Sequence, residues 1–308
     1  MLSCNQLVAS HYCVLACFQK GSSMRIEAFY SFMKERETIR LRKEDGEPFP
    51  WTDDPIFQQY KFTNVKRAHD KTTRWFWENV LDPNHYKPKE HLLFNCALFR
   101  YFGTIEFSEA ICGWNEMWPT DKEHIRKTAE IRLARGEKVF TGAYVITNQG
   151  IKAPKQDVVI DEFLTPLWYK LPELVRTAEM TQSWQAVAKK MMELKGFGGT
   201  GFMTKEVLQD ALHTSVFERC VDRNSWCPVG PGAKRGINRV LGNVYDAPLS
   251  PEKGLEVMRE LFAARKTHWG GNYLELELHD IQFQLCEFDK YERVKHGQGR
   301  PRSKYRVK

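Results

Sequence analysis

The sequence predicts a mainly α-helical protein with little strand, organised around a helix-hairpin-helix, and three observations carry that expectation. Trp184, Val187, Ala188 and Met191 recur at i, i+3, i+4 and i+7, and Met203, Val207, Leu208, Ala211 and Leu212 repeat the pattern, so an apolar helical stripe lies on each side of a turn. That turn, Leu194-Lys195-Gly196-Phe197-Gly198-Gly199-Thr200-Gly201, is rich in the residue that bends most freely. Elsewhere the apolar positions keep helical spacing, and only Val139 to Thr147 has strand character.

Taken in order, residues 1–23 are expected to be a poorly structured extension, with Met24 opening the ordered protein; they lack the basic start of a secretory signal. A helix is expected over 29–43 and stops before Pro48 and Pro50, which cannot continue one. Thr52 or Asp53 should cap the next helix, through Ile56 and Tyr60. Leu92, Leu93, Ala97, Leu98 and Phe102 form one stripe; Ile125, Thr128, Ile131 and Leu133 form another. Pro172 should break the run that follows Phe163. The last long helix carries Leu274, Leu278, Ile281, Leu285 and Phe288. The expected organisation is therefore an extension (1–23), an N-terminal helical part (24–178), a helix-hairpin-helix part (179–250), C-terminal helices packing back on the core (251–292) and a basic tail (293–308).

Composition narrows the class. With 308 residues, 13% of them aromatic, the chain can bury a core as one large or two closely packed domains. Lys290 to Lys308 holds eight Lys or Arg against one Glu, which accounts for the whole net charge of +7. Such a tail suits nucleic-acid phosphates, the alternative being a solvated terminus. Eight cysteines show no metal-ligand spacing, so free thiols in a reducing compartment and no protein metal site are expected. No apolar run is long enough for a membrane span. A cytoplasmic setting follows (a host cytoplasm for a viral protein, a nucleus for a eukaryotic one).

A helix hairpin presents backbone N–H groups and a helix N-terminus to a phosphate, so Lys195, Gly196, Gly198, Gly199, Gly201 and Lys205 are the candidate DNA-binding residues; the alternative is a turn without a ligand. Gly196, Gly198 and Gly201 also fit a dinucleotide fingerprint, but that motif needs a strand leading into it, and here the lead-in is helical. Arg235 and Arg239 share a face if 233–241 is helical, and Gly230 and Gly232 allow close backbone approach, so the group can cradle phosphate or pyrophosphate; a plain helix-opening turn is the competing reading.

Two resemblances extend these readings. The order Leu-x-Gly-x-Gly, helix, Val221-Asp222, then Gly236-Ile237-Asn238-Arg239-Val240-Leu241-Gly242 resembles the helix-hairpin-helix DNA glycosylases. It implies a glycosylase-like fold in which the hairpin grips DNA, a nucleotide is flipped out, and Asp222 acts on it. Thr200 stands where bifunctional members carry a nucleophilic lysine, and the segment before Asp222 is a few residues longer. A cap or a salt bridge to Arg219 or Arg223 is the other role open to Asp222.

The second resemblance covers roughly residues 25–306. Phe-x-x-Glu-Arg-Glu-x-Ile-Arg-x-Arg-Lys-Glu near the start, Pro48-Phe49-Pro50-Trp51-Thr52, Tyr60-Lys61-Phe62-Thr63-Asn64-Val65-Lys66-Arg67, Gly142 to Asn148, Val229 to Arg239, and Leu285 to Arg293 carry it. Together they are similar to the α-glutamyl/putrescinyl thymine pyrophosphorylases, also called amino acid:DNA transferases. These share the domain with the 5-hydroxymethyluracil DNA kinases and occur mostly in phages that hypermodify thymine. The resemblance implies displacement of pyrophosphate from 5-(pyrophosphoryloxymethyl)uracil in DNA by an amino acid or polyamine, in functional coupling with a 5-hydroxymethyluracil DNA kinase.

Under that reading Asp222 takes a proton from the amine. The pyrophosphate or substrate pocket draws on Arg36, Glu37, Arg40, Arg42, Lys43, Trp51, Lys66, Arg67, Asp70, Arg74, Gly230, Gly232, Arg235, Asn238, Arg239, Glu287, Asp289, Lys290 and Arg293. An intramolecular ion-pair network competes for the N-terminal members. No cofactor is assigned, although a divalent metal could assist pyrophosphate departure. A kinase role for this chain is disfavoured because no Gly-x-x-x-x-Gly-Lys-Ser/Thr occurs. A monofunctional DNA base glycosylase and a non-catalytic helical DNA-binding module are the alternatives.

Overall fold

The computed structural model describes residues 23–269, 275–301 and 304–305. The expected extension over 1–23 thus lies outside them save Ser23, as do Leu274 of the last stripe and Arg302, Ser303 and Arg306 of the tail. The chain forms two compact units, residues 1–67 with 229–308, and residues 68–228. The divisions between the units fall at Arg67/Ala68 and Pro228/Val229.

In the first unit α1 (Ser23–Glu44) buries Phe29, Tyr30, Phe32, Met33 and Ile39. Its successor α2 (Pro55–Gln59) is capped by Asp54, one residue beyond the expected Thr52 or Asp53: the Asp54 carboxylate accepts from the amides of Ile56 and Phe57.

The second unit opens with α3 (Lys71–Phe76) and centres on α4 (Lys89–Phe102), whose residues from Leu92 to Phe102 are all buried and which ends at left-handed Gly103. α5 (Ile105–Ala110) and α6 (Lys122–Ala134) follow. The stripe expected on α6 is out of phase: Ile125 and Ala129 are buried, whereas Ile131 and Leu133 are exposed. The strand expected over 139–147 does not form, and no described residue lies in a sheet. Val139 and Ile146 are buried as loop residues, because a β-branched run without a partner strand satisfies packing but no ladder. Pro172 does not break α7 (Thr165–Thr181). It sits on the exposed side while Leu167, Leu171, Leu174, Val175 and Ala178 bury the other, and that burial outweighs one lost hydrogen bond.

Helices α8 (Trp184–Met191) and α9 (Phe202–Ala211) stand where the two stripes placed them. Trp184, Val187, Ala188, Met191, Val207, Leu208 and Ala211 are each at most 1% exposed. The chain then returns to the first unit as α10 (Pro231–Leu241), α11 (Pro251–Trp269) and α12 (Leu278–Lys295). No helix among the described residues is long and apolar enough to cross a membrane.

Candidate functional site

In the first unit the site is built on the crossing of α10 and α12. α10 opens with Gly230 as cap and Pro231 in its first turn, where the missing N–H costs nothing. A β-carbon at Gly236 would fall on the Leu285 carbonyl, and one at Gly232 would lie 3.0 Å from Cys286 Sγ, so the two helices meet backbone to backbone. That closeness brings Arg235 and Arg239, one turn apart, onto Asp289. The Asp289 side chain is fully buried; Arg235 Nε donates to it at 2.8 Å and Arg239 Nε at 2.9 Å, and Arg293 Nε lies 3.2 Å away.

Three guanidinium groups on one carboxylate leave a local excess of positive charge. Contact through Nε leaves the Nη edges for other acceptors. Arg239 Nη2 uses one on the side-chain oxygen of Gln298, at 2.7 Å, a partner the sequence reading missed because Gln298 belongs to the tail. Arg235 and Arg293 are 32% and 30% exposed, so their edges reach solvent.

Other residues expected in this pocket serve as scaffold. Asn238 is fully buried and donates to the carbonyls of Tyr245 and Ala247, holding the turn after α10. Buried Arg36 donates to the carbonyls of Phe62 and Thr63, and Glu287 accepts from the Thr63 amide at 3.2 Å and Lys290 at 2.6 Å. The Arg67 amide donates to Asp280, and its guanidinium lies over the Phe283 ring. The segment 62–67 is thus stitched down by buried polar groups, with Lys66 half-buried on it.

On α1, Arg40 pairs with Glu37 and Glu44, and Arg42 Nη1 donates to the Trp51 carbonyl. Lys43 sits over the Trp51 ring at 4.5 Å and the Tyr305 ring at 4.4 Å, and the Tyr305 amide donates to the Gln59 carbonyl. The N-terminal charges are therefore largely the intramolecular network that competed with the pocket reading, and the tail is fastened at Tyr305. Asp70 and Arg74 belong to the other unit, where Asp70 stands at the start of α3 and Arg74 pairs with Glu78.

The glycine turn of the second unit divides in the same way. Gly196 has φ +90°, a β-carbon there would strike Phe163 and Tyr101, and its amide donates to the Gln149 side chain. Gly201 packs on Met192 and Trp226. Lys205 is wholly buried against Glu206 and cannot reach a phosphate, because the first turn of α9 faces inward. Lys195, Gly199 and Thr200 are exposed and Gly198 partly so, and Lys195 pairs with Glu162 at 3.0 Å.

Asp222 caps α8. Its carboxylate accepts from Ser183 Oγ and the Trp184 amide, both at 2.6 Å, from the Gln185 amide and Ser225 Oγ, both at 3.3 Å, and from the Cys220 thiol at 3.4 Å. Burial works against its ionisation, but the donors, Ser183 and Trp184 foremost, outweigh it and hold its pKa below the ordinary value. A carboxylate so committed is a poor proton acceptor. Of the two roles open to Asp222 in the sequence, these contacts are of the capping kind. Among the described residues no three His, Cys, Asp or Glu side chains converge to hold a metal ion.

Comparison with known proteins supports the likeness to the helical domain of the 5-hydroxymethyluracil DNA kinases. Residues 23–300 match the family described as "5-hmdU DNA kinase, helical domain". A protein of Bacillus phage SP10 called "5-hmdU DNA kinase" is 29% identical over 294 aligned residues, covering 86% of this chain and 44% of the phage protein. The chain thus spans less than half the length of that relative. No solved structure matches it.

Proposed function

The chain belongs to the family of 5-hmdU DNA kinase helical domains, and from that premise we propose that it is a DNA thymine-hypermodifying transferase. Its substrate is DNA carrying 5-(pyrophosphoryloxymethyl)uracil, and the reaction replaces pyrophosphate with an amino acid or polyamine. A kinase acting on 5-hydroxymethyluracil is the class of enzyme that starts the substrate's synthesis.

The observation that carries the reading is the arginine cradle on Asp289. As the carbon–oxygen bond at the 5-methylene breaks, its electron pair leaves with pyrophosphate; the amine nitrogen forms the new bond and then gives its proton to water. Negative charge gathers on the departing oxygens, where donors already fixed in place lower the barrier without reorganising. Arg235 and Arg293 offer open guanidinium edges, and Arg239 is held behind them. Lys195 and the turn at exposed Gly199 and Thr200 suit a DNA phosphate in the second unit. Asp222 holds its loop and takes no proton.

The full chain, incubated with pyrophosphorylated 5-hydroxymethyluracil DNA and glycine, glutamate, serine or putrescine, should incorporate one of these amines and release pyrophosphate, and Arg235→Ala with Arg293→Ala should abolish both. Free base with an abasic site would replace this reading with a glycosylase. Binding without either product would leave a non-catalytic module.

A further inference from the structure

Arg239 differs from the two arginines that share Asp289 with it. Its side chain is 8% exposed against 32% for Arg235 and 30% for Arg293, and its Nη2 already donates to the Gln298 side-chain oxygen at 2.7 Å. Arg239 does not need that bond to stay in place. Its Nε is fixed on Asp289 at 2.9 Å, and its guanidinium lies 5.3 Å from the centre of the Tyr245 ring. An exposed amide adds little to a group already held from two sides.

The end of α12 sets where Gln298 stands. Gly297 has φ +67°; its amide donates to the Val294 carbonyl at 3.1 Å, and the Gln298 amide donates to the Arg293 carbonyl at 2.7 Å. Those paired bonds close a helix through a left-handed glycine, and they fix the Gln298 backbone against the last turn of α12. Gly299 then runs past Arg293, where a β-carbon would lie 3.6 Å from Nη1. The backbone is thus tied down while the Gln298 side chain is exposed, so it can turn to water without disturbing any packing. Its amide oxygen carries only a partial charge. A phosphate oxygen carries a formal one and competes for the same guanidinium edge on better terms.

We propose that Gln298 keeps the place of a phosphate oxygen. The Arg239 Nη2 edge is the subsite of the second phosphate of pyrophosphate, the first resting on the open edges of Arg235 and Arg293, and Gln298 yields when a diphosphate arrives. A monophosphate satisfies the open edges but brings no tethered second anion to displace the amide, whereas in pyrophosphate the second group is delivered at high local concentration by the first. Gln298 is therefore a specificity-determining residue that favours diphosphate over monophosphate. The inference rests on the reading of the arginine cradle as a pyrophosphate site and adds the residue that selects the anion.

The experiment titrates the full chain with inorganic pyrophosphate and with orthophosphate in a calorimeter at fixed ionic strength. Wild type should bind pyrophosphate more tightly than orthophosphate. Gln298→Ala removes the competitor and should tighten pyrophosphate several-fold. Gln298→Glu keeps an oxygen on Arg239 but makes it anionic; it should weaken pyrophosphate by about tenfold or more, and orthophosphate by less, so that the preference collapses. Weaker pyrophosphate binding by Gln298→Ala overturns the proposal, since the amide would then support the anion, and so does unchanged pyrophosphate affinity in both variants. No pyrophosphate binding by wild type overturns this subsite and the cradle reading together. The expected affinities in a chain that incorporates no amine uphold the subsite and remove the transferase reading alone.

Discussion

Each unit buries an aspartate against arginine, and the two sites are built to different ends. Asp210 in the second unit is fully buried, and its Arg100 partner is 3% exposed. Trp77 Nε1 donates to the same carboxylate, and Thr73 accepts from Arg100, so the group is closed and balanced in charge. Asp289 in the first unit holds three arginines, two of them with tips in solvent. A closed pair fixes a core. A carboxylate outnumbered by arginines leaves positive charge uncompensated, which under the proposed function would meet an anion; the balance and exposure of an ion-pair cluster separate the two cases.

The comparison breaks most sharply at Asp210. Asp210→Asn leaves Arg100 buried and unpaired, and should cost about 3–5 kcal/mol of unfolding free energy in urea. Asp289→Asn should cost less, about 1–3 kcal/mol, because Arg235 and Arg293 can turn their charge to water. If the two losses are equal, the first-unit cluster is as closed as the second.

Inorganic pyrophosphate sharpens the contrast. It should raise the melting temperature of wild type. Arg235→Ala should weaken its binding by roughly 10–100-fold, the worth of charge-assisted contacts. Substitutions around Asp210 that still fold should leave pyrophosphate affinity as it was.

Gly236→Ala tests the helix crossing that assembles the cradle. A methyl group aimed at the Leu285 carbonyl should force α10 off α12, costing about 1–3 kcal/mol and lowering pyrophosphate affinity with it. A stable variant with intact affinity would separate the cradle from the crossing.

The smallest effect belongs to Asp222. Asp222→Asn should cost about 1 kcal/mol at neutral pH as α8 loses its charged cap. Since folding lowers the Asp222 pKa, the carboxylate's contribution is complete above the ordinary aspartate range and fades as pH falls through the lower folded value. Urea melts of wild type and variant should therefore differ at pH 7 and converge in acid. A difference that grew in acid would contradict the assignment.

Much of the fold was legible without coordinates. The stripes at Trp184–Met191 and Val207–Ala211 lie buried, and Gly230-Pro231 opens a helix that puts Arg235 and Arg239 on one face. Other readings turned on what covers a residue. Lys205 is basic and beside the glycine turn, yet buried; Pro172 looks like a break, yet lies on the open side of α7; Asp222 could act or cap from its sequence position, and five donors surround it. Gln298 was missed because nothing near it in sequence marks it as a partner of Arg239.

The sequence alone thus determined where the helices run, where the chain turns, and which charged residues share a helical face, because those follow from spacing over a few residues. Only the tertiary structure decided which of those charges meet, since Arg235 reaches Asp289 across a glycine contact between helices far apart in the chain. Burial and pairing are long-range outcomes: the same arginine is scaffold or site according to whether packing leaves its guanidinium edge covered or open to water.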